Sequence, residues 1–374
     1  MPDPSPPLRV ALLGSRGVPG RYGGYETLMD ELCGRLVERG FRVTVYCRSH
    51  YTPRNLRRFH GARLTVLPTV RSKHLDTPVH TLLSALHGGG QGYDAALVVN
   101  AANALFVPLL QAAGTPTALH VDGLEKRRAK WGPLGRVVYA LSERLAGLVA
   151  DVVVSDAEVI RDHYRRRYGV ESTLITYGVD PRPPAGRDTL EALGLEPGRY
   201  VLYVSRFEPE NNPHRVVAAY RRVGGDMPLV MVGDAPYARE FIDSFREAAD
   251  ERVRFPGAIY GDGYRQLLAH ALAYVHATEV GGTHPALVEA MGYGNCVVTN
   301  DTPENREVAG PEALYFRAGE PQTLAAQLES VRRDPDRTRA VGRAMARRAR
   351  ARYDWERIAD RYADLFRRLA GRGS

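Results

Sequence analysis

From Leu8 onward, short apolar runs of strand type alternate with segments of helical period, and near Arg199 the whole alternation starts afresh. The first series reads RVALLG, ETLMDELCGRLVERG and FRVTVYC, then ARLTVLP, AALVVN, TPTALH and DVVVSD. The second opens with RYVLYVSR (199 to 206) and continues with MPLVMVGD, RVRFPGAI, LAYVHAT and NCVVTND. Such alternation predicts βαβ units and parallel sheets, since each parallel pair needs a crossover that a helix can supply. Between the two series lies ITYGVDPRPPAGRD, whose prolines and glycines predict a hinge near Asp180. At 374 residues the chain can bury two cores rather than one. The expected architecture is α/β, two doubly wound domains with a ligand cleft at the carboxyl ends of their strands. The last apolar-periodic segment, WERIADRYADLFRRL (355 to 369), has no strand after it. It either ends the second domain or crosses back to cap the first.

The formal net charge of +8 and a pI near 9.4 call for an acidic partner, with nucleic acid, anionic lipid and a phosphorylated substrate all qualifying. The excess is arginine-rich, in RNLRRFH (54 to 60), EKRRAKW (125 to 131), HYRRRYG (163 to 169) and the run from 337 to 353. Solvated helix faces account for the last two. Aromatics are not interleaved with these cations as on a base-stacking surface, so nucleic acid is not expected. No apolar run approaches the roughly 18 residues of a membrane span, and MPDPSPPLRV lacks the order of a signal peptide, so a cytoplasmic protein is expected. Cys33, Cys47 and Cys296 have neither pairing nor metal-like spacing and read as reduced core residues.

Candidate chemistry gathers where strands end. EVGGTHPALVEAMGYG leaves the run LAYVHAT and opens into a helix, as a diphosphate cradle does. The first N–H groups of a helix have no internal partner and lie at the positive end of its dipole, so they bind an anion without a basic side chain. Gly281 and Gly282 permit close approach near Thr283, Pro285 suits the first turn, and Glu289 can accept from a vicinal diol such as a ribose. An ordinary strand-to-helix turn would carry the same letters. In SRFEPENN, Arg206 either neutralises a leaving diphosphate or pairs with Glu208 or Glu210. GSRGVPGRYGGYET has glycines without dinucleotide spacing, and its Gly23 and Gly24 precede a helix that could aim N–H groups at phosphate or sugar. In HVDGLEKRRAKW, His120 and Asp122 are expected just beyond a strand; His120 either orients a reacting sugar or is an interior histidine, and Asp122 could bind an acceptor hydroxyl or assist its deprotonation. KHLDTPVHTLL offers Lys73, Thr77 and His80 toward an acceptor, with helix capping as the plainer role. Tyr260 could flank a base, although a core or rim tyrosine is commoner. No Ser-His-Asp signature appears, and the one D-x-D, Asp334 and Asp336, lies away from every strand end, so no metal and no other cofactor is expected.

Taken in order, GSRGVPGRYGGYET, KHLDTPVHTLL, VDGLEKRRAKW, RFEPENN, VGGTHPALVEAMGYGN and NREVAG make the chain resemble retaining glycosyltransferases of the GT-B fold, glycosyltransferase family 4-like, closest to the bacterial rhamnosyltransferase-like branch. The resemblance spans nearly the whole chain. It implies two Rossmann-like domains facing across a cleft: an acceptor domain over residues 8–179, joined by a crossing-back helix over 353–370, and a nucleotide-sugar donor domain over 180–352. It implies metal-independent transfer, with retention, of a 6-deoxyhexose such as L-rhamnose from dTDP-rhamnose to a saccharide or lipid-linked saccharide in cell-surface polysaccharide synthesis. Residue by residue, Glu289 matches the ribose carboxylate and Arg206 the diphosphate arginine. Gly23 and Gly24 match the loop facing the phosphate, His120 falls near the donor-sugar histidine, and Glu125 lies in the acceptor-side motif VDGLEKRRAKW. Two positions depart from the wider family: its lysine five residues after the arginine is Asn211, and its first glutamate falls at Gly281, with Glu279 two residues off register. A lipid-linked acceptor would suit peripheral contact with an anionic inner membrane face. Two other readings stay open, a GT-B-like epimerase or phosphorylase and a non-catalytic nucleotide-sugar-binding protein.

Overall fold

The computed structural model describes residues 6–20, 23–72, 75–122, 133–235 and 237–371. The chain divides into two compact units, one running to Tyr177 and resuming at Trp355, the other spanning Gly178–Asp354. In the first, the strands are β1 (Arg9–Leu13), β2 (Arg42–Arg48), β3 (Arg58–Phe59), β4 (Ala62–Leu67), β5 (Ala95–Val99), β6 (Thr117–Val121), β7 (Val152–Ser155) and β8 (Ser172–Leu174). They form one sheet in the order β3-β4-β2-β1-β5-β6-β7-β8, parallel except for the β3–β4 edge pair. Central strands covered on both faces must be apolar throughout, and β5 and β6 are buried at every position. The helices here are α1 (Gly24–Glu38), α2 (Asp76–Gly89), α3 (Val107–Gln111), which follows a 3-10 turn over Ala101–Phe106, α4 (Pro133–Val149) and α5 (Glu158–Tyr168). In α1, Leu28, Met29, Leu32, Cys33 and Leu36 are buried, the one-sided stripe of a helix lying on a sheet.

The second unit holds β9 (Val201–Val204), β10 (Leu229–Val232), β11 (Val253–Gly257), β12 (Ala273–His276), β13 (Cys296–Asn300) and β14 (Leu314–Phe316). Their order is β11-β10-β9-β12-β13-β14, and every pair is parallel. Its helices are α6 (Asp188–Ala192), α7 (Pro213–Tyr220), α8 (Arg239–Glu247), α9 (Gly261–His270), α10 (Pro285–Gly292), α11 (Pro303–Ala309), α12 (Pro321–Arg333) and α13 (Pro335–Arg352). The terminal helix α14 (Trp355–Leu369) belongs to the first unit. Its Trp355, Ile358, Tyr362 and Phe366 enter the core beneath α1, and Arg35 of α1 and Arg39 just after it pair with Glu356 at 2.8 and 2.9 Å. Of the two sequence readings for this segment, the structure therefore selects the crossing back. Cys33, Cys47 and Cys296 are buried free thiols.

One close crossing supports the helix that carries Glu289. Helix α13 passes over the turn that ends α10, and a Cβ on Gly342 would lie 2.1 Å from the Gly294 carbonyl oxygen. Backbone cannot yield as a side-chain tip can, so Gly342→Ala must push α13 away from α10. The expected cost is about 1–3 kcal/mol, seen as a lower urea midpoint. An unchanged midpoint would show that the crossing is looser than the structure places it.

Candidate functional site

In the second unit the sheet order turns back between β9 and β12, and a doubly wound sheet opens its ligand crevice at the carboxyl ends of such a pair. Both motifs of this half emerge there. Arg206 follows β9; its side chain is 31% exposed and its Nη1 lies 3.4 Å from Oε1 of Glu208. Glu208 is itself buried and also accepts from the Tyr237 hydroxyl, so the pair tethers the guanidinium at the strand end rather than dissolving it among surface charges. Asn211 is buried, and its amide is engaged at both ends: Nδ2 donates to the Arg206 carbonyl at 2.8 Å, and Oδ1 accepts from Thr278 at 3.1 Å. Asn211, expected on the donor side where the wider family has its lysine, is a tie that shapes the Arg206 loop. Asn212 donates to Ala277 O at 2.8 Å and to Glu279 Oε1 at 3.0 Å, and the Glu279 N–H donates to Glu210 O at 3.0 Å. The loops after β9 and β12 are thus stitched into one surface. Glu279 also pairs with Arg215, 3.3 Å away.

Helix α10 begins at Pro285, with His284 in extended conformation before it and accepting from the Leu287 and Val288 N–H groups at 3.0 and 3.2 Å. Gly281 and Gly282 are buried, as is Thr283. A Cβ on Gly281 would fall 2.3 Å from Nε2 of His284, so the loop lies directly against that ring and needs glycine for space. The His284 ring stands 4.8 Å from that of His276, which burial holds neutral at the end of β12. One turn into α10, Oε2 of Glu289 accepts from the Tyr264 hydroxyl at 2.6 Å. Burial, reinforced by the neighbouring Glu289 charge, raises Tyr264 well above the ordinary tyrosine value, so it remains a donor. Tyr260, just ahead of α9, is 52% exposed, as a ring that stacks on a base must be.

In the first unit the corresponding reversal falls between β1 and β5. The glycine loop after β1 is held by the start of α1: Glu26 Oε1 accepts from Arg16 N–H at 2.9 Å and Asp30 Oδ2 from Gly20 N–H at 2.6 Å. Gly23, extended, is the residue before α1, and Gly24 its first. Next to this loop the Tyr25 hydroxyl donates to Asp122 at 2.5 Å, and both residues are only partly buried. His120 is different. It has no exposed surface, its Nδ1 lies 3.0 Å from the Tyr362 hydroxyl of α14, and burial pushes it down to about 3. The structure therefore gives His120 an interior position in place of direct contact with a sugar, because α14 and Tyr177 close over it.

The acceptor-side candidates also separate. Thr77 accepts from Nη2 of the buried Arg48 at 3.0 Å, alongside the Arg48–Asp76 pair at 2.6 Å. His80 has no exposed surface and burial holds it neutral, at about 4, so it lies inside the fold rather than facing an acceptor. Lys73 and Glu125 lie outside the described residues. Among the described residues no group of three or more His, Cys, Asp or Glu is arranged to hold a metal ion, and no helix is long and apolar enough to cross a membrane.

Residues 23–178 match the family model of the Glycosyl transferase 4-like domain, and residues 189–350 that of Glycosyl transferases group 1. The chain belongs to the GT-B glycosyltransferases. The glycosyltransferase is 24% identical to alpha-maltose-1-phosphate synthase of Mycolicibacterium smegmatis, over 97% of this chain and all of that one. Sucrose-phosphate synthase from Thermosynechococcus elongatus shares its fold with a TM-score of 0.84 at 19% identity, covering 97% and 99% of the two chains. Anabaena HepE in complex with UDP-glucose gives a TM-score of 0.77 at 17% identity, covering 96% and 98%. Sequence reasoning about this glycosyltransferase passed over Tyr264 and Asp30, and took Tyr25 and Glu26 only as the start of a helix. The only local signals were a second tyrosine four residues after Tyr260, and two acids one turn apart straight after the glycine loop.

Proposed function

We propose that this glycosyltransferase moves L-rhamnose from dTDP-rhamnose to a saccharide or lipid-linked saccharide acceptor, with retention and without a metal, in cell-surface polysaccharide synthesis. The observation that carries the reading is the stitched pair of loops: Arg206 and the N-terminus of α10 arise at one switch point, with Glu289 a turn further on. Departure of a nucleoside diphosphate builds negative charge, and stabilising it is the main catalytic task. Arg206 and the N–H groups near Gly282 and Thr283 meet that charge. Glu289 takes the ribose hydroxyls, and the exposed ring of Tyr260 flanks the base. The acceptor attacks on the face from which diphosphate leaves, through a short-lived oxocarbenium-like state, and a diphosphate oxygen takes its proton. No enzymic nucleophile is required. In the first unit, the Tyr25–Asp122 pair is the group offered to an acceptor hydroxyl, with His120 behind it as a positioning residue.

The likeness to HepE bound to UDP-glucose favours a second reading, a UDP-glucose donor. Thermal shift against both nucleotide sugars separates them, because a ligand at 100 times its Kd stabilises the native state by about 2.7 kcal/mol. The expected result is a larger shift with dTDP-rhamnose, followed by transfer that persists in EDTA and keeps the donor's anomeric configuration. A shift with UDP-glucose alone would reject the rhamnosyl assignment, and donor consumed without an acceptor would point to an epimerase.

A further inference from the structure

We infer that one helical layer of the first unit docks on an anionic lipid bilayer. The layer consists of α2, the 101–106 turn with α3, and α4, packed side by side over one face of the sheet. Each of the three turns large aliphatic side chains to solvent: Leu86 of α2 is 58% exposed, Leu105 of the turn 66%, and Leu141 and Leu148 of α4 62% and 73%. Isolated exposed leucines are ordinary on a protein surface, but their concentration on adjoining elements is not.

The charges are sorted as well. From Thr77 to Val121 the chain has a single charged side chain, Asp94, and its carboxylate accepts from the Arg9 N–H at the start of β1. The acid of α2, Asp76, pairs with the buried Arg48, and that of α4, Glu143, is buried against Tyr168 and His163. The cations do the opposite. Arg71, ahead of α2, is exposed, and so is Arg144, which shares a helix face with Leu141 and Leu148. Inward acids together with outward arginines and aliphatic side chains match a surface of acyl chains under anionic headgroups. A protein partner would ordinarily meet aromatic anchors, and among the described residues no Phe, Tyr or Trp of this layer is exposed.

Flotation of the full chain with phosphatidylcholine vesicles, with and without phosphatidylglycerol, tests the inference whichever sugar is transferred. Wild-type protein is expected to float with the anionic vesicles, less so at high salt. The double variant Leu86→Glu, Leu141→Glu is expected to lose about tenfold or more in vesicle partition, and Arg144→Glu to lose mainly the preference for anionic lipid. The donor-induced thermal shift should stay unchanged in both, which separates loss of docking from loss of fold. Equal recovery with neutral and anionic vesicles would overturn the inference. So would a wild-type dimer in sedimentation velocity that the double variant converts to monomer, since the occupant would then be a second copy of the chain.

Discussion

Arg206→Ala is expected to slow sugar transfer by about 10²–10³-fold at saturating donor, with a much smaller change in KM. The asymmetry follows from when the charge appears. On the proposed reading, the diphosphate charge of the bound donor is spread and partly met by the N-terminus of α10, whereas in the transition state it concentrates on the departing oxygen. A guanidinium already held at the end of β9 by Glu208 meets it without reorganisation. The substitution also removes the cationic partner of a buried carboxylate, so some loss of stability is expected, limited by the Tyr237 hydroxyl that still donates to Glu208. Arg206→Lys keeps the charge but loses the fork of donors and should recover only part of the rate. Single-turnover kinetics with melting curves on the same samples make the comparison. A folded alanine variant that turned over donor at the wild-type rate would remove Arg206 from the mechanism.

Glu289→Ala should act on binding rather than chemistry. A charge-assisted hydrogen bond contributes about 1.5–3 kcal/mol, which corresponds to roughly 10–150-fold weaker donor affinity. The ribose does not change charge during the reaction, so kcat should fall far less than kcat/KM. Inorganic pyrophosphate provides an internal control: on the proposed reading it is held by Arg206 and the α10 N-terminus, so its inhibition should barely change in Glu289→Ala. Tyr264→Phe removes only the hydroxyl that holds Oε2 at 2.6 Å and should weaken donor binding a few-fold. Pyrophosphate inhibition falling in step with donor affinity would mean that the substitution disturbed the whole helix start and that Glu289 does not recognise ribose.

Much of the turn from β12 into α10 was legible in the sequence, because its signals are local. A glycine pair after an apolar run, a proline at the first helical position and a carboxylate one turn later describe a strand-to-helix turn without reference to anything distant. The histidines show where such reading stops. His80 and His120 lie in motif segments next to predicted strand or helix ends, yet both prove interior, one on the buried face of α2 near Arg48, the other under α14. Asn211 looked like a lost lysine and is instead the knot between two loops, since its partners Arg206 and Thr278 lie 5 and 67 residues away.

Periodicity by itself determined that this chain makes two parallel-sheet units, and glycine and proline spacing determined which strand ends carry turns into helices. Both are properties of neighbouring residues, written in torsional preference and in which face of an element is apolar. The tertiary structure alone decided which side chains are covered and by what. It returned α14 to the first unit, set Tyr25 on Asp122 and Tyr264 on Glu289, and left the leucines of α2 and α4 facing outward. Burial depends on elements that arrive from distant parts of the chain, and no local pattern records their arrival.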